Sequence, residues 1–119
     1  MARIDNITDF LEAGLRAETV RQKTIAGNVA NLQTPEYKST EIKFEDMLEK
    51  ALSGDGDFDP RGILPEIYEP LQTKVNANGN DVSLEIEIGR MIKNAMKHTA
   101  YVRLLNKKYQ QIQQAIEIK

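Results

Sequence analysis

The 119-residue chain has one histidine and no cysteine. Disulfides, thiolate metal sites and cysteine nucleophiles are thereby excluded. His98 falls at a core-type position of a heptad pattern. A lone histidine there is more often a half-buried packing residue than a ligand or a proton carrier. The acidic side chains offer one other chemistry. Asp55, Asp57 and Asp59 alternate, and Glu66 stands at position twelve counted from Asp55, which is the spacing of a calcium loop. Position six, however, is Pro60, where such a loop needs glycine, and Pro65 opposes the helix that should follow. The stretch reads as a solvated acidic turn. No Gly-rich phosphate loop, nucleophile elbow or His-based zinc motif is present. The expectation is a protein with no catalytic residues, no metal and no cofactor.

The elements that would position any such residues are mostly helical. Residues 5–31 read as a helix opened by a cap at Asn6, with Asp9 three positions on. Ile4, Ile7, Leu11 and Leu15 recur at helical spacing. The stripe thins between Arg16 and Thr24, then resumes with Ile25, Ala26, Val29 and Leu32. Gly14 and Gly27 weaken this helix by about 1 kcal/mol each relative to alanine, so it should need neighbours. Thr34-Pro35 stops it, and Asn31 is a suitable last residue because asparagine tolerates left-handed geometry. Phe44, Met47, Leu48, Ala51 and Leu52 share one face of a short helix near 43–53. Pro60, Pro65 and Pro70 argue for extended pieces and loop beyond it, and Asn76-Ala77-Asn78-Gly79-Asn80 is a turn signal.

The C-terminal segment carries the clearest pattern. Ile88, Ala95, Val102, Tyr109 and Ile116 alternate with Met91, His98, Leu105 and Ile112 as a heptad, the mark of a helix packed against another helix. Ile88 to Ile116 spans about 42 Å. Its entry is two-sided: Val82 to Ile88 alternates like a strand, whereas Asp81 or Ser83 suits a cap and Glu85 and Glu87 suit a helix dipole. Helix is the favoured reading. Met91 and Met96, with Ile92 beside them, suit either a binding face or core filling.

Charge is divided along the chain. Residues 41–87 hold 12 acidic and 4 basic side chains, net −8, and residues 88–119 hold 7 basic and 1 acidic, net +6. Such a division suits contact between copies, or merely a solvated basic face. A basic helix also raises nucleic-acid binding, but the whole-chain pI of about 5.5 and the apolar stripe favour a helical partner. No window approaches the roughly 18 apolar residues of a membrane span. The N-terminus shows no secretory signal.

Two stretches carry a family resemblance. Arg21 to Lys38, containing Asn28, Ala30, Asn31, Thr34, Pro35, Tyr37 and Lys38, resembles the N-terminal signature of flagellar axial proteins, the class of rod, hook and hook-filament subunits. Asn78 to Glu85 and the helix after it, with the short length and the Phe44-Glu45 region, are similar to the proximal-rod members of that class. Glu36 departs from the pattern, which often has glycine there. The resemblance implies a mainly α fold. Residues 1–33 and 81–119 would form long helices packed as an elongated coiled-coil-like pair, the inner rod domain. Residues 34–80 would be a loop-rich centre with one short helix and a small β portion. It implies a self-assembling structural rod subunit, not an enzyme. Leu11, Leu15, Ile25, Val29, Met91, Val102, Leu105, Tyr109 and Ile112 would be its assembly anchors. Implied neighbours are other copies, rod proteins of the FlgC and FlgF types, FliE, and the membrane ring and export-gate region. Implied too are a place in the periplasmic rod and export through the flagellar type III apparatus. A small helical adaptor that never polymerises is the alternative.

Overall fold

The computed structural model describes residues 2–53 and 59–118. Gly54 to Asp57 of the acidic turn, and Lys119, lie outside them. The molecule is elongated, 67 × 29 × 15 Å, because two long helices dominate it. Helix α1 spans Ala2–Ala30 and helix α3 spans Leu84–Glu117. Between them come strand β1 (Glu41–Lys43), helix α2 (Glu45–Leu52), a single 3-10 turn (Pro60–Gly62) and strand β2 (Glu66–Tyr68). The mainly α expectation, with a short central helix and a small sheet, is met.

Helix α1 begins upstream of the expected cap. Asn6 lies inside the helix, because nothing in the Ala2–Asp5 stretch is a glycine or proline that would break it. Helix α3 starts one residue after Ser83, whose Oγ accepts from the Ile86 N–H at 3.4 Å. Glu85 and Glu87 in its first turn favour the positive end of the dipole, so the alternating stretch resolves as helix. The strands pair antiparallel, with Glu41 opposite Tyr68, Ile42 opposite Ile67 and Lys43 opposite Glu66. The Tyr68 hydroxyl donates to Glu41, and the Lys43 ammonium lies 4.5 Å from the Tyr68 ring centre.

The apolar core lies between α1 and the central segment, not between the two long helices. Ala13, Ala17, Ile42, Phe44, Ala51 and Ile63 are buried together, with Phe10, Val20, Met47 and Leu48 at the margin. The small residues of α1 that made its stripe look thin let β1 and the 3-10 turn approach closely. Phe44, buried to 1% exposure, is the largest single contribution, about 1.5–3 kcal/mol. Leu52 was expected on the same face as Ala51 but is exposed. It is the last residue of α2 and sits about 100° around the helix from Ala51.

Gly14 explains itself by proximity. A Cβ there would run into the ring of Tyr101 on α3. The helix forgoes some intrinsic stability so that an aromatic ring can sit close against it. The prediction is a double-mutant cycle in which Gly14→Ala lowers the Tm of the wild-type chain despite better helix propensity. In a Tyr101→Ala background the same change should stabilise by up to about 1 kcal/mol. Thermal unfolding of the four proteins checks it.

Candidate functional site

The residues of the two sequence motifs meet at the bend between α1 and the central segment. Asn28 is fully buried and is the hub. Its Nδ2 donates to the Thr40 carbonyl at 2.9 Å and to Glu87 Oε1 at 3.1 Å. Its Oδ1 accepts from the Thr40 N–H at 2.9 Å and the Tyr37 hydroxyl at 3.1 Å. One carboxamide thus ties α1, the returning chain and α3. Asparagine suits this position because it offers two donors and an acceptor oxygen on one short stem.

The turn itself is closed by asparagines. The Asn31 N–H donates to the Gly27 carbonyl at 3.1 Å and its Nδ2 to the same oxygen at 2.8 Å, satisfying a helix-end acceptor. The Thr34 hydroxyl donates to Asn31 Oδ1. Asn31 does not take the left-handed conformation expected of it. Glu36 does, with φ 65°, at the position where the axial pattern often has glycine. Asn80, also fully buried, donates from Nδ2 to the carbonyls of Asn31 and Thr34, each at 2.8 Å, and accepts from the Val82 N–H at 2.7 Å. Asp81 accepts from the Ser39 N–H at 2.6 Å. Lys38 donates from Nζ to the Gly79 carbonyl. Gly79 has φ 85°, a left-handed conformation that favours glycine; the Glu36 carboxylate also lies where a Cβ would sit, but that exposed side chain can move aside. Thr34 and Pro35 are exposed, Tyr37 and Lys38 half-buried, and Ala30 exposed.

Two ion-pair networks extend this clasp along the helix pair. Near the bend, Arg90 of α3 bridges Glu87 and Glu41 of β1, at 2.7 Å each. Further along α1, Arg21 pairs with Glu18 and, at 2.6 Å, with Glu45 at the start of α2. Glu45 also receives Lys97 of α3 at 3.0 Å. Asn94 donates to the Glu18 backbone carbonyl at 2.8 Å and its carboxylate at 3.2 Å. The second network joins α1, α3 and the central segment; the first joins α3 to β1 and reaches α1 through the Asn28–Glu87 hydrogen bond. Glu18 and Glu87 are both 1% exposed, and buried charges require such partners. Glu87 Oε2 has no partner among the described residues.

Helix α3 therefore presents Glu87, Asn94, Tyr101, Leu105 and Ile112 toward α1, a line that only partly coincides with the apolar heptad. Among the expected anchors, Ile25 and Leu105 are buried within the chain; Leu11, Leu15, Val29, Val102 and Ile112 are half-buried; Met91 and Tyr109 are about half exposed. The Tyr109 hydroxyl donates to Glu12 at 3.0 Å. His98, expected as half-buried packing, is exposed, because the helix is turned so that the Asn94–Tyr101 line faces inward. Sequence reasoning passed over Glu18 and Asn94, and took Glu87 only as a partner of the helix dipole, because apolar periodicity does not see polar residues at a seam. Asp59, one member of the calcium-like spacing, is exposed and held by Arg61 at 3.1 Å. Among the described residues no cluster of three metal-ligating side chains is assembled, and no helix is long and apolar enough to cross a membrane.

Two outcomes follow from these contacts. Asn28→Ala should lower stability by roughly 3 kcal/mol, because it strands buried partners on three segments. Urea unfolding measures this, and a loss within that of an ordinary surface substitution contradicts the clasp. The second concerns pH. Burial acts to raise the Glu45 carboxyl, but hydrogen bonds from Lys97 and Arg21 outweigh it and bring it from 4.5 to about 2. A depressed folded pKa contributes stability that is present above pH 4.5 and lost as pH falls toward 2. Glu45 is half exposed, so the effect is modest. Glu45→Gln should lower Tm by a small constant amount above about pH 4.5 and make the acid limb of the Tm–pH curve shallower between those values, so that the two curves converge toward pH 2.

No family model matches the sequence. Curated relatives do. The chain is 29% identical over 108 residues to the flagellar basal body rod protein FlgB of Bacillus subtilis, covering 83% of this chain and 84% of the relative. It is 28% identical over 116 residues to FlgB of Borreliella burgdorferi, covering 82% and 86%, and 23% identical over 122 residues to FlgB of Proteus mirabilis, covering 87% and 88%. The relatives share one description, and the resemblance drawn from the two motifs is to the flagellar basal body rod protein FlgB.

Proposed function

We propose that this chain is a structural component of the bacterial flagellar basal-body rod, assembling with copies of itself and with other rod proteins into a hollow drive shaft. The observation that carries the reading is the likeness to FlgB relatives over most of the chain's length, together with the surface the fold leaves uncovered. Ile88, Met91, Ile92 and Met96 on α3 are 46%, 49%, 59% and 70% exposed, an apolar run along one helix that the chain does not cover for itself. Such a surface suits burial against neighbours.

In this reading the work is mechanical. The clasp holds α1 and α3 in one register and fixes where the central segment leaves them. The exposed apolar flank supplies contact with neighbours, and the acidic centre and basic tail attract one another between subunits. Residues 1–33 and 81–119 make the inner layer, and 34–80 project from it. FliE and rod proteins of the FlgC and FlgF types are the proposed neighbours, near the membrane ring and export gate, and the proposed export route is the flagellar type III apparatus. No step needs a catalytic group or a cofactor.

Met91→Asp separates assembly from folding, since Met91 is half exposed and outside the core. Introduced into a bacterium lacking the native gene, this variant should melt within about 1 °C of wild type, as surface changes do, yet fail to restore swimming. Full swimming with Met91→Asp argues for a non-polymerising adaptor.

A further inference from the structure

The turn at residues 76–80 contains Asn78–Gly79, the one Asn-Gly pair in the sequence. Asparagine is a thermolabile residue, and this pair carries a specific chemistry. The main-chain nitrogen of the following residue, once deprotonated, attacks the asparagine Cγ. A C–N bond forms, the bond to the side-chain nitrogen breaks, and that nitrogen leaves as ammonia. Water then opens the cyclic imide at either carbonyl, leaving aspartate or isoaspartate. The steps are redox-neutral and consume only water. A side chain on the following residue hinders the attack, and glycine has none. The turn favours glycine at position 79 for its φ of 85°. Its own geometry therefore sets an unshielded nitrogen beside Asn78.

We infer that Asn78 is a site of spontaneous deamidation that the folded turn holds shut, and that the clasp does not tolerate the isoaspartate product. Asn78 is exposed, so water and base reach it. The groups that must move are nevertheless held. The Gly79 N–H donates to the Asn76 carbonyl at 2.9 Å, which keeps the attacking nitrogen protonated. Asn78 Oδ1 accepts from the Asn80 N–H at 3.1 Å, which tethers the carboxamide. The Glu36 N–H donates to the Asn78 carbonyl at 3.0 Å and fixes the peptide plane between the two residues. The Lys38 ammonium holds the Gly79 carbonyl, and the Asn76 N–H closes the turn onto the Asn80 carbonyl at 2.7 Å. Ring closure therefore waits for local opening, whose cost slows the reaction. The product matters because the next two residues, Asn80 and Asp81, are buried to 0% and 1% exposure. Isoaspartate routes the main chain through the former side chain and lengthens it by a methylene. That displaces Asn80 from the Asn31 and Thr34 carbonyls and Asp81 from the Ser39 N–H, leaving buried groups without partners.

The test incubates the full chain in mildly alkaline buffer, native and unfolded in guanidinium chloride, and then digests it with trypsin. The peptide from Val75 to Arg90 contains Asn76, Asn78 and Asn80, so mass spectrometry follows all three together. In the unfolded chain Asn78 should convert first, with Asn76 and Asn80 largely intact. In the native chain its conversion should be slower by more than about tenfold. Chain aged while unfolded, carrying isoaspartate and returned to native buffer, should melt more than about 4 °C below a freshly refolded control. Asn78→Asp adds the charge without the longer main chain and should melt within about 1 °C of wild type. Equal native and unfolded rates, or no preference for Asn78 over Asn76 and Asn80, overturn the gated site. Isoaspartate-bearing chain that melts with the control, or Asn78→Asp that melts as low as the aged chain, overturns the stated effect on the clasp.

Discussion

The buried carboxamide of Asn28 is the constraint on which the arrangement depends. It lies where α1 ends, where the chain turns back through Tyr37 and Thr40, and where α3 begins at Glu87. Its polar atoms are committed to groups that would otherwise be buried without partners. A net hydrogen bond is worth only about 1 kcal/mol, but leaving a buried partner unmade costs more. The clasp therefore acts mainly by excluding other registers of the two helices, since a shift of one residue would strand Asn28, Glu87 and the Thr40 amide at once.

Polar residues at the seam have a consequence for the surface. The chain joins its own long helices with Glu18, Asn28, Glu87 and Asn94, all buried, and spends its large apolar core on the central segment around Phe44. Much of the apolar heptad of α3 is left outside. A protein built to remain alone would have turned that stripe inward. The Tyr101–Gly14 contact and the Arg21–Glu45–Lys97 network hold α3 in the rotated position, so the uncovered flank is set by specific contacts rather than by loose packing.

Much of the architecture was legible in the sequence. Two long helices, the stop at Thr34-Pro35, the short helix after Phe44 and the asparagine-rich turn all follow from periodicity and turn chemistry. The start of α1 was not, because a cap at Asn6 is only a local option and an unbroken stretch upstream can continue the helix. The seam was not, because Glu18, Glu87 and Asn94 look like ordinary exposed polar residues until the fold brings Arg21, Arg90 and Asn28 to them. The left-handed residue at the bend was assigned to Asn31, whose side chain instead hydrogen-bonds back to Gly27, while Glu36 carries the positive φ. Of the expected anchors, residue type alone did not separate Ile25 and Leu105, which the chain buries, from Met91 and Tyr109, which it leaves about half exposed.

The central claim is that this chain builds the rod. Electron microscopy of basal bodies purified from a strain lacking the gene, with swimming scored alongside, tests it most directly. The account predicts membrane rings without a rod above them and no swimming, both restored by the intact gene. Complete rods in the deletion strain would contradict it.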